Sequence, residues 1–381
     1  MLIEDSIPQV RSIYERQFAE RVGAAHAVAF GHARTGLAAI LTALGIGPQD
    51  EVVLSPLTCK VVPLTLLSLK IKPLYVDVSR ETINMSPESL CAVIGPATRA
   101  VLFQHTYGNP AGVEEVARVA AARRLPLIED CAQSLPHTRE CRAPGSAGIA
   151  AIFSNNLLKP LPAGSGGAVV TNDAALSKEL RRIASLLPTP GVLGTARLRL
   201  ESWLQRRLLR PELYWLALAV FGKHRERPLE NEIAAEVTGL ASLPSDYQMQ
   251  EGARWLARVD RWARQRLECC ESYLDLLAGC GSLRLPGFEI PRPLYYFPVR
   301  TKRKREVLEQ ARRRRIELIA WPRSKPIYPL ENDAQLAAYG FNPASCPVAT
   351  ELAAELIGLP THDKITRRHR QKIVHLLRSY S

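Results

Sequence analysis

Two residues stand where chemistry could be done. The stretch AIFSNNLLKPLPAGSGGAVVTND (151–173) sets Lys159 between an apolar run and a glycine-rich turn, and LPLIEDCAQSLPH (125–137) ends an apolar run on Asp130. A carboxylate closing a buried strand is costly unless a cation or hydrogen-bond donors meet it. A helix N-cap is the ordinary reason for an aspartate there; a protonated pyridine nitrogen is another partner that would hold the charge. Most lysines are simply solvated, but one that is partly buried loses its proton more readily and can form a Schiff base.

A third element supplies what these two lack. ARTGLAAI (33–40) reads as a helix start with free N–H groups, the Thr35 hydroxyl and a Gly36 that brings no side chain, a combination suited to a phosphate. Ser154, five residues before Lys159, adds a hydroxyl. Acid, amine and phosphate turn together form the parts list of a pyridoxal phosphate site.

The surrounding pattern explains how such residues would converge. Apolar strand-like runs at 25–30, 51–56, 73–78, 100–106 and 125–130 alternate with amphipathic stretches at 8–23, 34–45, 61–69, 86–94 and 112–123. Near-continuous apolar strands separated by helices predict a mainly parallel α/β sheet with helices on both faces. Ligands in such sheets sit at the carboxyl ends of the strands. The polar residues at those ends are Thr35 and Gly36; Cys59 and Lys60; His105 and Tyr107; Asp130 and Gln133; and Ser154, Asn156 and Lys159.

Beyond a helix at 174–187 the character changes. A Pro/Gly-rich break leads into the basic, apolar segment RLRLESWLQRRLLRPELYWLALAVFGKHRERP; then come a long helix over 249–279, a strand at 295–300, and helices at 303–314, 345–356 and 366–378. The expected organisation is a large cofactor-binding part (1–187), an atypical helical insertion (188–243), and a linking helix with a small α+β C-terminal part (244–381).

Composition narrows the classes. The chain has 381 residues, 46% hydrophobic and 23% charged, which suits an enzyme-sized globular protein. No apolar run is long enough to span a bilayer, and the start lacks a basic-then-apolar leader pattern, so a cytoplasmic location is expected. Eight scattered cysteines with no CxxC pair exclude a zinc site and suit free thiols. The net charge of +13 favours phosphorylated or otherwise anionic partners, but 6% aromatic content and the absence of a reader motif argue against nucleic acid.

Ordered motifs give this architecture a family. GIGPQDEVVLSPLT, KPLYVDVSRETINMSPESL, HTYGNPAGVEEV, LPLIEDCAQSLPH, FSNNLLKPLPAGSGGAVVTND and IGLPTHDKITRRHRQKIVHLL resemble, in order, the DegT/DnrJ/StrS nucleotide-sugar aminotransferases, of fold type I. The resemblance covers about 8–186 and resumes from about 244. It implies a seven-stranded-type sheet, a homodimer with its site near the subunit interface, and pyridoxal phosphate bound by Lys159 as Schiff-base lysine. Asp130 would face the ring nitrogen and Gln133 the ring oxygen, with Cys59 beside the ring; Thr35, Gly36 and Ser154 would hold the phosphate, and Lys60, His105, Tyr107 and Asn156 would contact substrate. It further implies ping-pong transfer from glutamate to a keto sugar on a nucleotide, in polysaccharide biosynthesis. Some relatives carry His in place of Lys159 and perform dehydration instead.

Three departures keep alternatives open. Cys59 replaces an aromatic residue that stacks on the cofactor, Asp246 replaces an Asn that reaches the partner's phosphate, and 188–243 is longer and more apolar than usual. The insertion suits a helical pair at a dimer interface or over the site. Alternatively it leans on anionic lipid through 203–221, which would fit a lipid-linked acceptor. A non-catalytic binding protein on the same fold also accommodates Cys59 and Asp246.

Overall fold

The computed structural model describes residues 6–136, 143–156, 158–208, 211–214, 216, 228–239, 242–281, 283–285, 287–288 and 292–380. The elements of the N-terminal part are α1 (Ser6–Val22), β1 (His26–Phe30), α2 (Ala33–Ala43), β2 (Glu51–Leu54), α3 (Val61–Ser68), β3 (Lys72–Tyr75), α4 (Pro87–Val93), β4 (Thr98–Gln104), α5 (Val113–Ala122), β5 (Leu127–Asp130), β6 (Ala150–Ser154), β7 (Gly167–Thr171) and α6 (Ala174–Ser185). These follow the expected strand-helix alternation closely.

The seven strands form one sheet in the order β1-β7-β6-β5-β4-β2-β3, and only β7 runs against the rest. Register aligns the functional ends: Gln104 of β4 lies opposite Asp130 of β5, and Ser154 of β6 opposite Gly167 of β7. The strands are buried on both faces, as β7 shows along its whole length, because helices cover each side. Helix starts are fixed locally: Asp173 caps α6 by accepting from the Leu176 N–H at 2.9 Å, and Ser86 caps α4 ahead of Pro87.

The rest of the described chain comprises α7 (Val192–Leu208), α8 (Leu229–Gly239), α9 (Asp246–Leu256), α10 (Val259–Leu277), β8 (Tyr296–Arg300), α11 (Lys304–Arg313), α12 (Asp333–Ala338), α13 (Pro347–Glu355), β9 (Leu356–Pro360) and α14 (Arg367–Arg378). The single helix expected at 249–279 is two. The chain breaks at Ala257 and Arg258, and Trp255 and Trp262 stack across the break with ring centroids 4.3 Å apart. Neither glycine nor proline marks that break, so local propensity could not reveal it. The helix expected at 345–356 gives way to β9, antiparallel to β8, because LIGLP is a short, fully buried apolar run.

One continuous hydrophobic core joins α2 and the sheet to α10, α13, β9 and α14, so the C-terminal elements share the apolar interior of the sheet. A second core packs α1 and α9 onto the sheet. Their contact is close: a Cβ on Gly252 would fall 2.6 Å from the Tyr14 ring. Gly252→Ala is therefore expected to lower stability by about 1–3 kcal/mol, the usual cost of overpacking. Thermal denaturation would read this as a lowered Tm, and an unchanged Tm would contradict the packing described.

Candidate active site

The centre of the site is the end of β5, where two acidic residues follow one another. Strand alternation sends their side chains to opposite faces. Glu129 is 1% exposed and meets the His105 Nε2 at 2.7 Å, and it accepts from the N–H groups of Gly145, Ala147 and Gly148 at 3.0, 2.6 and 2.7 Å. Burial pushes its carboxyl up, but His105 and the backbone donors outweigh this and hold it below the ordinary carboxylate range.

Asp130 has much less support. Its Oδ1 accepts from the Ala132 N–H at 2.9 Å. Burial lifts its carboxyl above the ordinary range, opposed by that N–H and by the positive fields of Lys159 and His105. A buried carboxylate under-supplied with donors, near a lysine and at a strand end, is an arrangement that favours a cationic ligand.

Two motifs read separately in the sequence prove to be bonded to each other. The His105 N–H donates to the Asp130 carbonyl at 3.0 Å and the Tyr107 N–H to Gln133 Oε1 at 2.7 Å. Tyr107 takes a left-handed backbone (φ 59°), and Gly108 follows it at φ 83°, where a Cβ would lie 2.7 Å from the Gln133 carbonyl oxygen. The turn therefore fixes Gln133 through its oxygen and leaves Nε2 without a partner among the described residues.

Lys159 lies in a loop that folds back on itself. Its N–H donates to the Asn156 carbonyl at 2.9 Å, the Leu158 N–H donates to Asn156 Oδ1 at 3.0 Å, and Asn155 N–H reaches the Gly166 carbonyl. From the C-terminal part, the Tyr295 hydroxyl donates to the Leu158 carbonyl, while the Tyr295 N–H donates to the Tyr107 carbonyl at 2.7 Å. The buried Arg266, which donates to the Tyr295 carbonyl at 2.9 Å, anchors that tyrosine in turn. Gly166 pairs with His32, and a Cβ on Gly167 would strike the Ala33 nitrogen, so the far side of the loop lies against the start of α2.

Four expectations change here. Gly36 does not offer a free N–H, since it donates to the His32 carbonyl at 3.3 Å; its small size serves packing, because a Cβ would lie 2.7 Å from Val169. His105 and Tyr107 are framework residues rather than substrate contacts: both are wholly buried, and the Tyr107 hydroxyl donates to the Trp321 carbonyl. Lys60 is not open to a substrate phosphate, because Glu232 of α8 meets its Nζ at 2.5 Å and also accepts from the Tyr339 hydroxyl at 2.5 Å. Thr35, Gln133, Ser154 and Asn156 remain placed at the strand ends and the start of α2, as expected.

Sequence reasoning missed Glu129, Tyr295 and Glu232. The first was legible as the acid that precedes Asp130 in LIED, after two apolar residues. The other two come from distant segments and carry no local mark.

Comparison with known proteins follows the same lines. The sequence profile of the DegT/DnrJ/EryC1/StrS aminotransferase family matches residues 8–378. The chain belongs to this family. It is 27% identical over 375 residues to the dTDP-3-amino-3,4,6-trideoxy-alpha-D-glucose transaminase of Micromonospora megalomicea subsp. nigra, covering 96% of this chain and 88% of that protein. It is 36% identical over 174 residues to the spore coat polysaccharide biosynthesis protein SpsC of Bacillus subtilis, a match spanning 46% of this chain but only 44% of that one. Among solved structures, S. venezuelae DesV in complex with a ketimine intermediate superposes with a TM-score of 0.76 at 25% identity, over 97% of this chain and 89% of that chain.

As in a DegT/DnrJ/EryC1/StrS enzyme, the donor set fits pyridoxal phosphate. Asp130 is a buried carboxylate in want of a cation, Gln133 Nε2 has no partner among the described residues, and Thr35 and the start of α2 lie against the lysine loop. At Cys59, the position that an aromatic ring occupies in relatives, the backbone is bridged to Tyr328: Lys60 N–H donates to the Tyr328 carbonyl and Tyr328 N–H to the Thr58 carbonyl, at 2.7 and 2.8 Å. An aromatic residue thus runs beside the position that lost one. Asp246 begins α9 one residue after the Ser245 cap, where a negative charge is favoured by the helix dipole.

The two acids should respond oppositely to perturbation. Glu129, depressed, contributes stability that is present above its unfolded value of about pH 4.3 and is lost as pH falls through its lower folded value. Glu129→Ala strands His105 and three backbone donors, and is expected to cost on the order of 3 kcal/mol in urea unfolding at pH 7. Asp130, raised, contributes the reverse: a penalty absent below its unfolded value of about pH 3.9 that sets in as pH rises through its folded value. Asp130→Asn should leave the cofactor-free protein at least as stable at pH 7 while reducing the stabilisation gained on adding pyridoxal phosphate. A destabilised cofactor-free variant with undiminished gain would refute the role given to Asp130.

Proposed function

We propose that the protein is a pyridoxal-phosphate-dependent aminotransferase that moves an amino group from glutamate to a keto sugar carried on a nucleotide. The observation that carries this reading is a lysine whose positive field reaches a buried, under-supplied carboxylate at the end of the neighbouring strand. A relative's name supports the nucleotide-sugar part, since a dTDP-amino-sugar transaminase is among the relatives.

When bound, pyridoxal phosphate supplies an electron sink beside the substrate's α-carbon. Lys159 would hold it covalently, Asp130 would keep the ring nitrogen protonated, Gln133 Nε2 would donate to the ring oxygen, and Thr35, Ser154 and the first N–H groups of α2 would bind the phosphate. Lys159 Nζ, once free, would take the proton from the donor's α-carbon and later give it back, as general base and then acid. Asn155 and Asn156, by bonding the loop on either side, limit where that amine can swing. A lysine here, rather than a histidine, favours amino transfer over dehydration.

The protein is read as a homodimer acting in the cytoplasm. Its support is the exposed apolar ridge of α7, where Val192, Leu193, Leu200 and Trp203 face solvent, a face a second copy would cover. Peripheral contact with anionic lipid through 203–221 is a second reading, favoured by Arg207 lying 5.4 Å over the Trp203 ring; most of 209–227 lies outside the described residues. Among the described residues no helix is long and apolar enough to cross a membrane.

Purified protein loaded with the cofactor should be yellow, and glutamate should bleach that absorption. Lys159→Ala should abolish the response and lower turnover by roughly 10²–10⁴-fold. A colourless protein that takes up no cofactor would overturn the enzymatic reading in favour of a binding role.

A further inference from the structure

Away from the site, the C-terminal end of α11 and the outer face of α14 enclose a groove of about 440 Å³ lined by Arg314, Ile316, Arg368, Gln371, Lys372 and His375. A smaller hollow continues it past Arg315, His369 and Pro211. The one carboxylate on these walls, Glu317, is 7% exposed and is already paired with His362 at 2.9 Å.

Several of the protein's other surface arginines are paired. On α11 itself, Arg303 bonds Glu306 and Arg313 bonds Glu309; elsewhere Arg182 bonds Glu179 and Arg197 bonds Glu201. Among the described residues, Arg314, Arg315, Arg368 and Lys372 meet no carboxylate. Arg314 can be ascribed to the end of α11, where cations complement the helix dipole. Arg368 cannot, because it lies in the first turn of α14, which holds no acidic residue and where the dipole opposes a cation. Bare cations converging from two elements raise the local potential and concentrate anions.

The spacing indicates the ligand. Arg368, Lys372 and His375 recur on one face of α14 over about 10 Å of helix, a span matching two or three linked phosphates rather than one carboxylate. No phenylalanine, tyrosine or tryptophan lines the groove, so it lacks the large aromatic platforms on which bases stack best.

We propose that this groove is a binding site for a phosphate-bearing polyanion, held by Arg314, Arg368 and Lys372 and separate from the cofactor phosphate site. Its test uses the cofactor-loaded enzyme, in which the cofactor phosphate site is filled. Isothermal titration with inorganic tripolyphosphate should show one saturable, salt-sensitive site per chain. The variant R314Q/R368Q/K372Q should weaken it at least tenfold with turnover and Tm unchanged, whereas R182Q/R197Q/R313Q, which removes the same formal charge elsewhere, should not. Co-sedimentation with phosphatidylserine vesicles distinguishes the sources: loss of vesicle binding in the groove variant alone would place the phosphates on lipid headgroups rather than on a soluble ligand. Absence of binding to both probes, equal binding by the groove variant, or tighter groove-dependent binding of a 20-base-pair duplex than of tripolyphosphate at equal phosphate concentration would each overturn the proposal.

Discussion

Two carboxylates on consecutive residues, buried at the end of a central strand, are the constraint around which the sheet's working end is arranged. Transferring a charge out of water is tolerable only when it is paired and hydrogen-bonded. Glu129 meets that demand entirely from protein, with one imidazole and three backbone donors. Meeting it fixes the 145–148 loop to β5 and sets His105 at the end of β4. Among the described residues Asp130 has one donor, and this difference separates an acid satisfied by the protein from one that is not.

The lysine loop depends on the same end of the sheet through backbone contacts. Tyr107 holds Gln133 on one side and Tyr295 on the other, and Tyr295 reaches the carbonyl preceding Lys159. The course of the loop that carries Lys159 is therefore determined jointly by residues from the sheet and from the C-terminal part, which share a single apolar core. A change in the packing of α10 or β8 would be transmitted to Lys159 with no intervening substrate contact.

Much of this was legible in sequence. Period and punctuation located nearly all the strands and helices of the first 185 residues, and Asp130, Lys159 and Thr35 stand out because of their residue types at the strand ends and the start of α2. What could not be read is what depends on distant partners. The break at Ala257 and Arg258 carries no glycine or proline to mark it, and the burial of Tyr107 depends on Trp321. Gly36 was assigned to ligand approach when it answers to Val169, because a glycine's sequence context does not say what presses on it.

The pairing of Lys60 with Glu232 has a consequence for exchange between relatives. A cation beside the position that departs from the family pattern is neutralised by an acid in the segment that also departs from it. The two charges balance each other across the contact between α3 and α8. A chimera that takes 188–243 from another aminotransferase leaves a lysine unbalanced at the start of α3, and one that takes only the Cys59–Lys60 turn leaves a carboxylate unbalanced in α8. Exchanging either segment is, for this chain, a problem of matched halves.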